Sequence, residues 1–417
     1  MKYFLVGIKG SGMSALAIYL KQRGEEVLGS DVEESFFTED NLKNNDIEYR
    51  TFSKDNLKKE YYYIISSSYS EDNNEEVKWI KKKRYKYKYY HDFISSLNHK
   101  VISISGTHGK TTTSALVKQM LDEDCSYIIG DGEGGYNPFS SYLVLEACEY
   151  KNHFLKYHSS IGVITCIEED HTDFFKNLKE IYRSFKTYAS HCSSLIYNGD
   201  LIKKRLKKKN AISFGFSYKN DVLINIIAQC DDGYYIELNY KRKEIYHVPF
   251  KGKHMIYNFV AALLVVKLLD KEYEEKKLVL PKRRMNISSY QGSLIVDDYA
   301  HHPSEVESVI NSLREMYPYH KITGIFQFHS YERALHFKKE FKRAFSLFDK
   351  IYLSDVYVPK REKENKKEQL KIDKIYKEFP KYNELVLLDI GSISEIFVFM
   401  GAGTIYKEIE KLHNTVE

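Results

Sequence analysis

The stretch SISGTHGKTTTSA, residues 103–115, decides the fold of this 417-residue chain. An apolar strand pattern, HKVISIS (99–105), runs directly into glycines, a lysine and threonines, and a helical pattern follows. Glycines leave backbone N–H groups open to a phosphate, a lysine supplies a cation, and a threonine hydroxyl suits magnesium. The stretch therefore predicts a phosphate-binding loop between a strand and a helix.

The residues of this loop take distinct predicted roles. Gly106 and Gly109 shape the tight turn, Lys110 contacts the outer phosphates, and Thr111 holds the metal. The remaining loop residues that we expect to contact ATP are Thr107, His108 and Thr112. The first glycine of the GxxxxGK[ST] pattern would fall at Ile104, so this loop is a shortened variant, which points away from the common GTPases.

Acidic residues follow the next two strand patterns. YLVLEACEY (142–150) places Glu146 at a strand end and Glu149 three residues on. IGVITCIEEDHTDFF (161–175) ends its strand in carboxylates and His171. Because magnesium on ATP needs a carboxylate near the phosphate loop, Glu146 is a candidate metal ligand, and His171 is either a further ligand or a structural residue.

The first forty residues predict a separate nucleotide-binding unit. KYFLVGI, a glycine turn, a helical pattern and EVLGSD form strand, turn, helix and strand, and the second strand ends in Asp31. We expect Gly10, Ser11 and Gly12 to bind phosphate at the helix N-terminus and Asp31 to contact a ribose or base. The glycine spacing differs from the GxGxxG fingerprint, and a redox NAD site is the alternative.

Strand and helix patterns alternate along the whole chain and restart twice. We expect an α/β protein of three domains: a Rossmann-like domain over 1–98, a P-loop ATPase-like domain over 99–284, and a second Rossmann-like domain over 285–417. Among the strand predictions, YKYKYYHDF (85–93) closes the first domain and ELVLLD (384–389) belongs to the last.

Composition excludes several classes of protein. Hydrophobic residues make up 43% of the chain and charged residues 29%, which excludes disordered and fibrous proteins. The longest apolar run, 259–266, is too short to span a bilayer, and we expect a cytoplasmic protein, monomeric or weakly dimeric, with no membrane partner. Lysine runs at 81–88, 203–209 and 360–367 lack a recognition motif, so we expect no nucleic-acid partner; a nucleic-acid-stimulated ATPase is the alternative.

Several motifs together resemble the Mur ligase family in identity and order. They are GIKGSGMSALA (7–17), SGTHGKTTT (105–113), EACEY (146–150), EEDHTDFF (168–175), GKHMIYNFVAA (252–262), PKRRMN (281–286), DDYAHHPSEV (297–306) and FMGAG (399–403). The resemblance covers nearly the whole chain and is closest to the alanine-adding branch of the family. It implies an ATP- and Mg2+-dependent ligase that joins L-alanine to the carboxylate of UDP-N-acetylmuramate through an acyl phosphate, in peptidoglycan precursor synthesis.

The resemblance also assigns residues position by position. It implies Lys110, Glu146, His171 and Arg284 as the catalytic group, and Asn258, Asp298 and Arg283 as further ATP contacts. It also implies that Thr111 and Glu146 hold one magnesium ion and that His171 supports a second. The stretch FQFHSYERA (326–334) is similar to a family motif that places His329 and Arg333 at the amino-acid carboxylate, and His301 is a further substrate contact.

Two other functions stay open at this point. A recycling ligase that adds a preformed tripeptide to the same sugar nucleotide shares the first motifs, and a non-catalytic nucleotide sensor could use the same fold. Lys186 lies at the spacing after His171 where related ligases carry a carbamylated lysine, but the alanine-adding branch lacks that residue. We therefore expect Lys186 to be a plain surface lysine.

Overall fold

The computed structural model describes residues 1–122, 124–202, 206, 209–357, 378–382 and 395–414. The lysine run 360–367, most of the run 203–209 and the predicted strand 384–389 lie outside the described residues. The chain divides into two compact units, one of residues 1–228, 235–247 and 257–279, the other of residues 229–234, 248–256 and 280–417.

The first sheet opens the first unit and contains five parallel strands in the order β3-β2-β1-β4-β5. Its strands are β1 (Lys2–Val6), β2 (Glu26–Asp31), β3 (Glu48–Thr51), β4 (Tyr62–Ile65) and β5 (Tyr87–Tyr89). Its helices are α1 (Ser11–Gln22), α2 (Glu39–Asn44), α3 (Glu75–Lys82) and α4 (Tyr90–Ile94). Lys54–Asn56 forms a short 3-10 turn. The chain leaves β1 toward β2 on one side and places β4 on the other, which is a doubly wound arrangement.

The prediction of one strand over 85–93 is wrong in its second half. Strand β5 has only three residues, and α4 starts at Tyr90. Tyr90, Phe93 and Ile94 are all buried. Residues three and four positions apart lie on one face of a helix, so the helix buries all three side chains on the same side. A strand would turn Phe93 to the face opposite Tyr90 and Ile94.

The second sheet has ten strands in the order β15-β14-β13-β12-β11-β10-β6-β9-β7-β8. The strands are β6 (Lys100–Ser105), β7 (Ser126–Ile128), β8 (Gly134–Gly135), β9 (Tyr142–Glu146), β10 (Ser159–Ile164), β11 (Cys192–Asn198), β12 (Ala211–Gly215), β13 (Val222–Gln229), β14 (Tyr234–Asn239) and β15 (Lys243–Val248). The helices are α5 (Lys110–Met120), α6 (Leu178–His191) and α7 (Lys253–Leu268), and Tyr150–Lys156 forms 3-10 turns. Strand β6 runs parallel to both neighbours, β9 and β10, so the ends of all three strands meet at one edge.

The first two sheets share a hydrophobic core within their unit. Helix α1 packs against the segment after β8: the rings of Tyr19 and Tyr136 lie 5.4 Å apart, and the Tyr136 N–H donates to Gln22 at 3.0 Å. One cluster of buried residues runs from Tyr3 through Leu145 to Leu195 without interruption. The predicted boundary between residues 98 and 99 falls between α4 and β6, and it stays a prediction.

The third sheet forms the core of the second unit, in the order β16-β17-β20-β18-β19. Its strands are β16 (Asn286–Tyr290), β17 (Ser293–Asp298), β18 (Lys321–Gln327), β19 (Lys350–Ser354) and β20 (Glu395–Met400). Its helices are α8 (Pro303–Met316), α9 (Tyr331–His336), α10 (Lys338–Phe345) and α11 (Tyr406–Asn414). Among the strand pairs that the described residues form in this sheet, β16 with β17 is antiparallel and the others are parallel. Helix α8 begins at Pro303, which suits a first helical position, and Glu305 completes a capping box with His302.

The predicted fold class, three α/β domains with a parallel sheet at the N-terminus, is confirmed. Within the described residues, every helix is too short or too polar to cross a lipid bilayer.

Candidate active site

The phosphate loop connects β6 to α5 as the sequence predicts. Its two glycines have positive φ angles, 132° at Gly106 and 81° at Gly109, which side-chain-bearing residues rarely adopt. A Cβ on Gly106 would also lie 2.1 Å from Thr165 Oγ1. No side chain caps the N-terminus of α5, so its first N–H groups are available for an anion.

Lys110 is folded back into this loop. Its Nζ donates to the carbonyl oxygens of Gly106 at 2.5 Å and Thr107 at 3.1 Å, and it lies 3.1 Å from Glu149 Oε2. Burial acts to lower the pKa of Lys110, but Glu149 together with Cys148 and Glu146 outweighs burial and raises the pKa above its ordinary value. The lysine is therefore a fixed cation where the loop would receive phosphate.

A carboxylate, a second carboxylate and an imidazole meet beside Lys110. One ligand atom each from Glu149, Asp170 and His171 lies within 4.8 Å of the others. His171 Nε2 lies 3.7 Å from Glu149 Oε1, and the His171 ring packs 4.7 Å from that of Tyr150. Glu149 is buried and His171 is partly exposed, so this group faces both the lysine and solvent.

The structure brings Glu149 to His171, whereas the family resemblance assigns Glu146, with Thr111, to one magnesium ion and His171 to a second. Glu146 ends β9, and its Oε2 accepts the N–H of Gly130 at 2.9 Å. Its charge still acts on Lys110, since it contributes to the raised pKa of that lysine. Sequence reasoning noticed Glu149 but did not commit to it; a second glutamate just beyond the strand end was the available signal.

The other predicted ATP contacts of the first unit surround the loop. Asn258 in α7 accepts a hydrogen bond from Thr113 Oγ1 at 3.3 Å and lies next to Gly109. Thr107 Oγ1 accepts the N–H of Glu168 at 2.9 Å, and His108 Nε2 lies 3.4 Å from Glu168 Oε2. Thr111 and Thr112 are buried in the first turn of α5. Their contacts with a nucleotide stay a prediction.

The turn between β1 and α1 carries the predicted sugar-nucleotide contacts. Gly10 precedes the uncapped N-terminus of α1, where Ser11 and Gly12 offer backbone N–H groups. Asp31 is buried, and its carboxylate accepts hydrogen bonds from the N–H groups of Lys9 at 2.7 Å and Val32 at 2.8 Å. Asp31 thus fastens the turn, and a contact with a ribose or base stays a prediction.

In the second unit, Arg283 is occupied by its own domain. Its guanidinium is buried, donates to the carbonyls of Gly401 at 2.5 Å and Gly403 at 3.4 Å, and lies 3.4 Å from Asp297. Arg284 is partly exposed and lies 3.7 Å from Glu305. Of the two arginines, Arg284 is therefore the better candidate for a phosphate contact, which stays a prediction.

The segment after β17 forms a second group of predicted contacts. Asp298 accepts the N–H groups of Met285 and Ala300 at 2.8 and 2.7 Å, and burial raises its pKa to about 6. The ring of His301 lies 6.0 Å from that of His329, so these two predicted substrate residues come together. Arg333 follows in the first turns of α9.

Sequence reasoning missed Glu305, which organises this segment. Its Oε2 accepts the N–H groups of His301 at 3.0 Å and His302 at 3.2 Å, and it lies 3.2 Å from His301 Nδ1. A glutamate three residues after a helix N-cap was the readable signal. Lys186 is exposed on α6, as expected of a surface lysine.

Fold and site define a nucleotide-binding α/β protein with a cation inside its phosphate loop. Comparisons with known proteins identify its family. Three family descriptions match: "Mur ligase family, catalytic domain" over residues 2–100, "Mur ligase middle domain" over 104–266, and "Mur ligase, glutamate ligase domain" over 283–403. The chain belongs to the Mur ligase family, whose members are ATP-dependent ligases that form amide bonds.

Individual relatives agree with this membership. A UDP-N-acetylmuramate–L-alanine ligase of Streptococcus agalactiae is 34% identical over 97% of this chain and 95% of its own length. The enzyme of the same name from Streptococcus gordonii is 33% identical over the same shares. Among solved structures, a UDP-N-acetylmuramate-alanine ligase of Thermotoga maritima matches with a TM-score of 0.79 at 22% identity, covering 100% of this chain and 99% of that one. A murein peptide ligase of Psychrobacter arcticus matches with a TM-score of 0.73 at 15% identity, covering 100% and 98%.

Proposed function

We propose that this protein joins L-alanine to the carboxylate of UDP-N-acetylmuramate and converts ATP to ADP and phosphate. The observation that carries the proposal is the 34% identity to a ligase of that name over 97% of this chain. The cation-lined phosphate loop, with Lys110 beside Glu149 and His171, supports it with the chemistry that such a ligation needs.

The reaction needs activation because a carboxylate is a poor electrophile. Transfer of the γ-phosphoryl group of ATP to a carboxylate oxygen gives an acyl phosphate, and attack by the amine gives a tetrahedral species that expels phosphate. Negative charge develops on the transferring group in both steps. Lys110, whose pKa is raised, stays protonated at neutral pH and stabilises that charge from within the loop.

We include Mg2+ in the proposal because the donor set fits it. Glu149, Asp170 and His171 offer two carboxylates and an imidazole within 4.8 Å of one another, close to the loop that would hold ATP. The hydroxyl of Thr111 and the carboxylate of Glu146 are the further predicted ligands. When bound, the ion would neutralise phosphate charge.

We assign one substrate to each of the three predicted domains. We assign residues 1–98 to the sugar nucleotide through Gly10, Ser11 and Gly12, and residues 99–284 to ATP. We assign residues 285–417 to the amino acid through His301, His329 and Arg333, since a guanidinium pairs well with a carboxylate. We also place the protein in the cytoplasm, as a monomer or weak dimer.

Isotope transfer tests the proposal directly. UDP-N-acetylmuramate labelled with 18O in its carboxylate should deliver label to inorganic phosphate when ATP and L-alanine are present. Labelled phosphate formed with a tripeptide but not with L-alanine would identify a recycling ligase instead. Absence of transfer with every amine would favour a non-catalytic nucleotide-binding protein.

A further inference from the structure

Lys9 is a buried lysine in the turn between β1 and α1, with only 5% of its surface exposed. Its Nζ donates to the carbonyl oxygens of Val32 at 2.9 Å and Glu34 at 3.0 Å, and it lies 2.8 Å from Glu39 Oε1. Lysine is almost never buried without such partners. All three partners belong to one segment, residues 32–39, which follows β2.

The backbone of Lys9 is tied to the same region. Its N–H donates to Asp31 Oδ2 at 2.7 Å, and its carbonyl accepts the hydroxyl of Thr38 at 2.5 Å. One residue therefore joins the glycine turn to both ends of the segment 32–39.

Glu39, the charge partner, is itself held in place. Its carboxylate accepts the N–H of Phe36 at 3.2 Å and the hydroxyl of Tyr49 at 3.0 Å. Burial acts to raise the pKa of Glu39, but the hydrogen bonds from Lys9, Phe36 and Tyr49 outweigh it and lower the pKa. Glu39 is thus ionised at neutral pH, and its contact with Lys9 gives the ammonium one defined position.

The two segments that Lys9 joins lie where a nucleotide would bind. Strands β1 and β2 are parallel neighbours, so the turn after β1 and the segment after β2 leave the same edge of the sheet. In open α/β sheets, ligands bind beyond the carboxyl ends of the strands. The uncapped N-terminus of α1 is at this edge as well.

We propose that Lys9 is a positioning residue for the sugar nucleotide, which holds segment 32–39 against the glycine turn and so preforms the binding surface. Lys9 acts without contacting the substrate, because its ammonium binds Val32, Glu34 and Glu39 of the protein itself. The inference rests on the proposed function for the identity of the ligand. Without the ammonium, two carbonyls and the Glu39 carboxylate lose their partner. Segment 32–39 must then become ordered when the nucleotide binds, and the free energy of this ordering reduces the affinity.

The test compares Lys9→Met with Lys9→Arg, Glu39→Gln and the matched control Lys21→Met in the full-length protein. Lys21 also donates to a backbone carbonyl of the first sheet's unit, that of Asp46 at 3.1 Å, but from an exposed position. UDP and UDP-N-acetylmuramate are titrated by calorimetry, KM and kcat are measured for the sugar nucleotide and ATP, and melting temperatures are recorded.

We expect Lys9→Met to weaken UDP binding and to raise KM for the sugar nucleotide by roughly tenfold or more, with kcat and the KM for ATP changed less than about twofold. Lys9→Arg should recover most of the affinity, Glu39→Gln should reproduce the loss, and Lys21→Met should match the wild type. If Lys9→Met does not fold, Glu39→Gln decides.

Two results would overturn the role of Lys9 alone: unchanged UDP affinity in Lys9→Met and Glu39→Gln, or an equal rise of KM for both nucleotides, which indicates general destabilisation. Wild-type protein that binds neither UDP nor UDP-N-acetylmuramate would instead refute the proposed function and, with it, the ligand of this site.

Discussion

His91 is held neutral where α4 packs against the central sheet's 3-10 segment. Only 8% of its surface is exposed, its Nδ1 lies 2.6 Å from the hydroxyl of Tyr157, and its ring stacks on His153 at 3.9 Å. Burial lowers the pKa of His91 to about 2, and the nearby His153 and Lys156 act in the same direction. Protonation of this imidazole should therefore work against the folded state.

The sign and size of the effect follow from proton linkage. A histidine in the unfolded chain has a pKa of about 6.5. Below that pH the unfolded chain binds a proton at His91, whereas His91 of the folded protein stays unprotonated. Stability is then lost as pH falls. One pH unit corresponds to about 1.4 kcal/mol, so His91 alone should lower the free energy of unfolding by about 2 kcal/mol when the pH falls from 7 to 5.

Urea unfolding at pH 7 and pH 5 measures this cost. Trp79, the only tryptophan, lies in α3 of the same unit and reports unfolding by its fluorescence. In His91→Gln, which keeps a polar group near Tyr157 but cannot titrate, the difference in stability between the two pH values should shrink by about 2 kcal/mol. His336→Gln removes an exposed imidazole and should leave the difference unchanged. An unaltered difference in His91→Gln would refute the reasoning.

Three further predictions concern the candidate active site. Lys110→Ala should lower phosphate release by at least roughly a thousandfold, because the loop loses its cation, while calorimetry should still detect UDP-N-acetylmuramate binding; normal turnover would contradict the site. Glu149→Gln should shift the Mg2+ dependence of phosphate release more than Glu146→Gln, because Glu149 is the carboxylate beside His171; the reverse order would favour the sequence-based ligand. Lys186→Ala should leave the rate and its response to bicarbonate unchanged, since the side chain is exposed; loss of a bicarbonate stimulation would indicate carbamylation.

The fold could be predicted where local pattern and tertiary structure agree. The strand over 100–105, the glycines with positive φ and the helix from Lys110 were all readable, because a phosphate loop requires that order of residues. Helix α8 was equally readable from its proline and capping glutamate. In both places the start of the helix is encoded within a few residues.

Prediction failed where packing between distant segments decides the structure. Strands β13, β14 and β15 were not predicted: they lie at one end of the ten-stranded sheet. Ile227 in β13 and Ile245 in β15 are exposed, so these two strands lack a clear separation of apolar and polar faces. In β14 the exposed Tyr235 obscures an alternation that buries Tyr234, Ile236 and Leu238. The buried ammonium of Lys9 was also missed, because its partners are 23 to 30 residues away and nothing local marks them.

Glu146 and Glu149 show why the residues of the site could not be predicted from the ends of strands alone. Glu149 reaches Lys110 from a loop that continues through Lys151 and Asn152, and both of these residues have left-handed backbone, with φ of 51° and 60°. His171 is left-handed too, at φ 50°, and is held there by its N–H to Asp170 Oδ1 and by the Phe174 and Phe175 N–H groups on its carbonyl. Residues other than glycine adopt this conformation at a cost that surrounding contacts must offset. The two segments meet at the Glu149 carboxylate, which lies beside both Lys110 and His171. The arrangement is thus maintained against local preference, and we infer that a metal or phosphate site at that point is the function that maintains it.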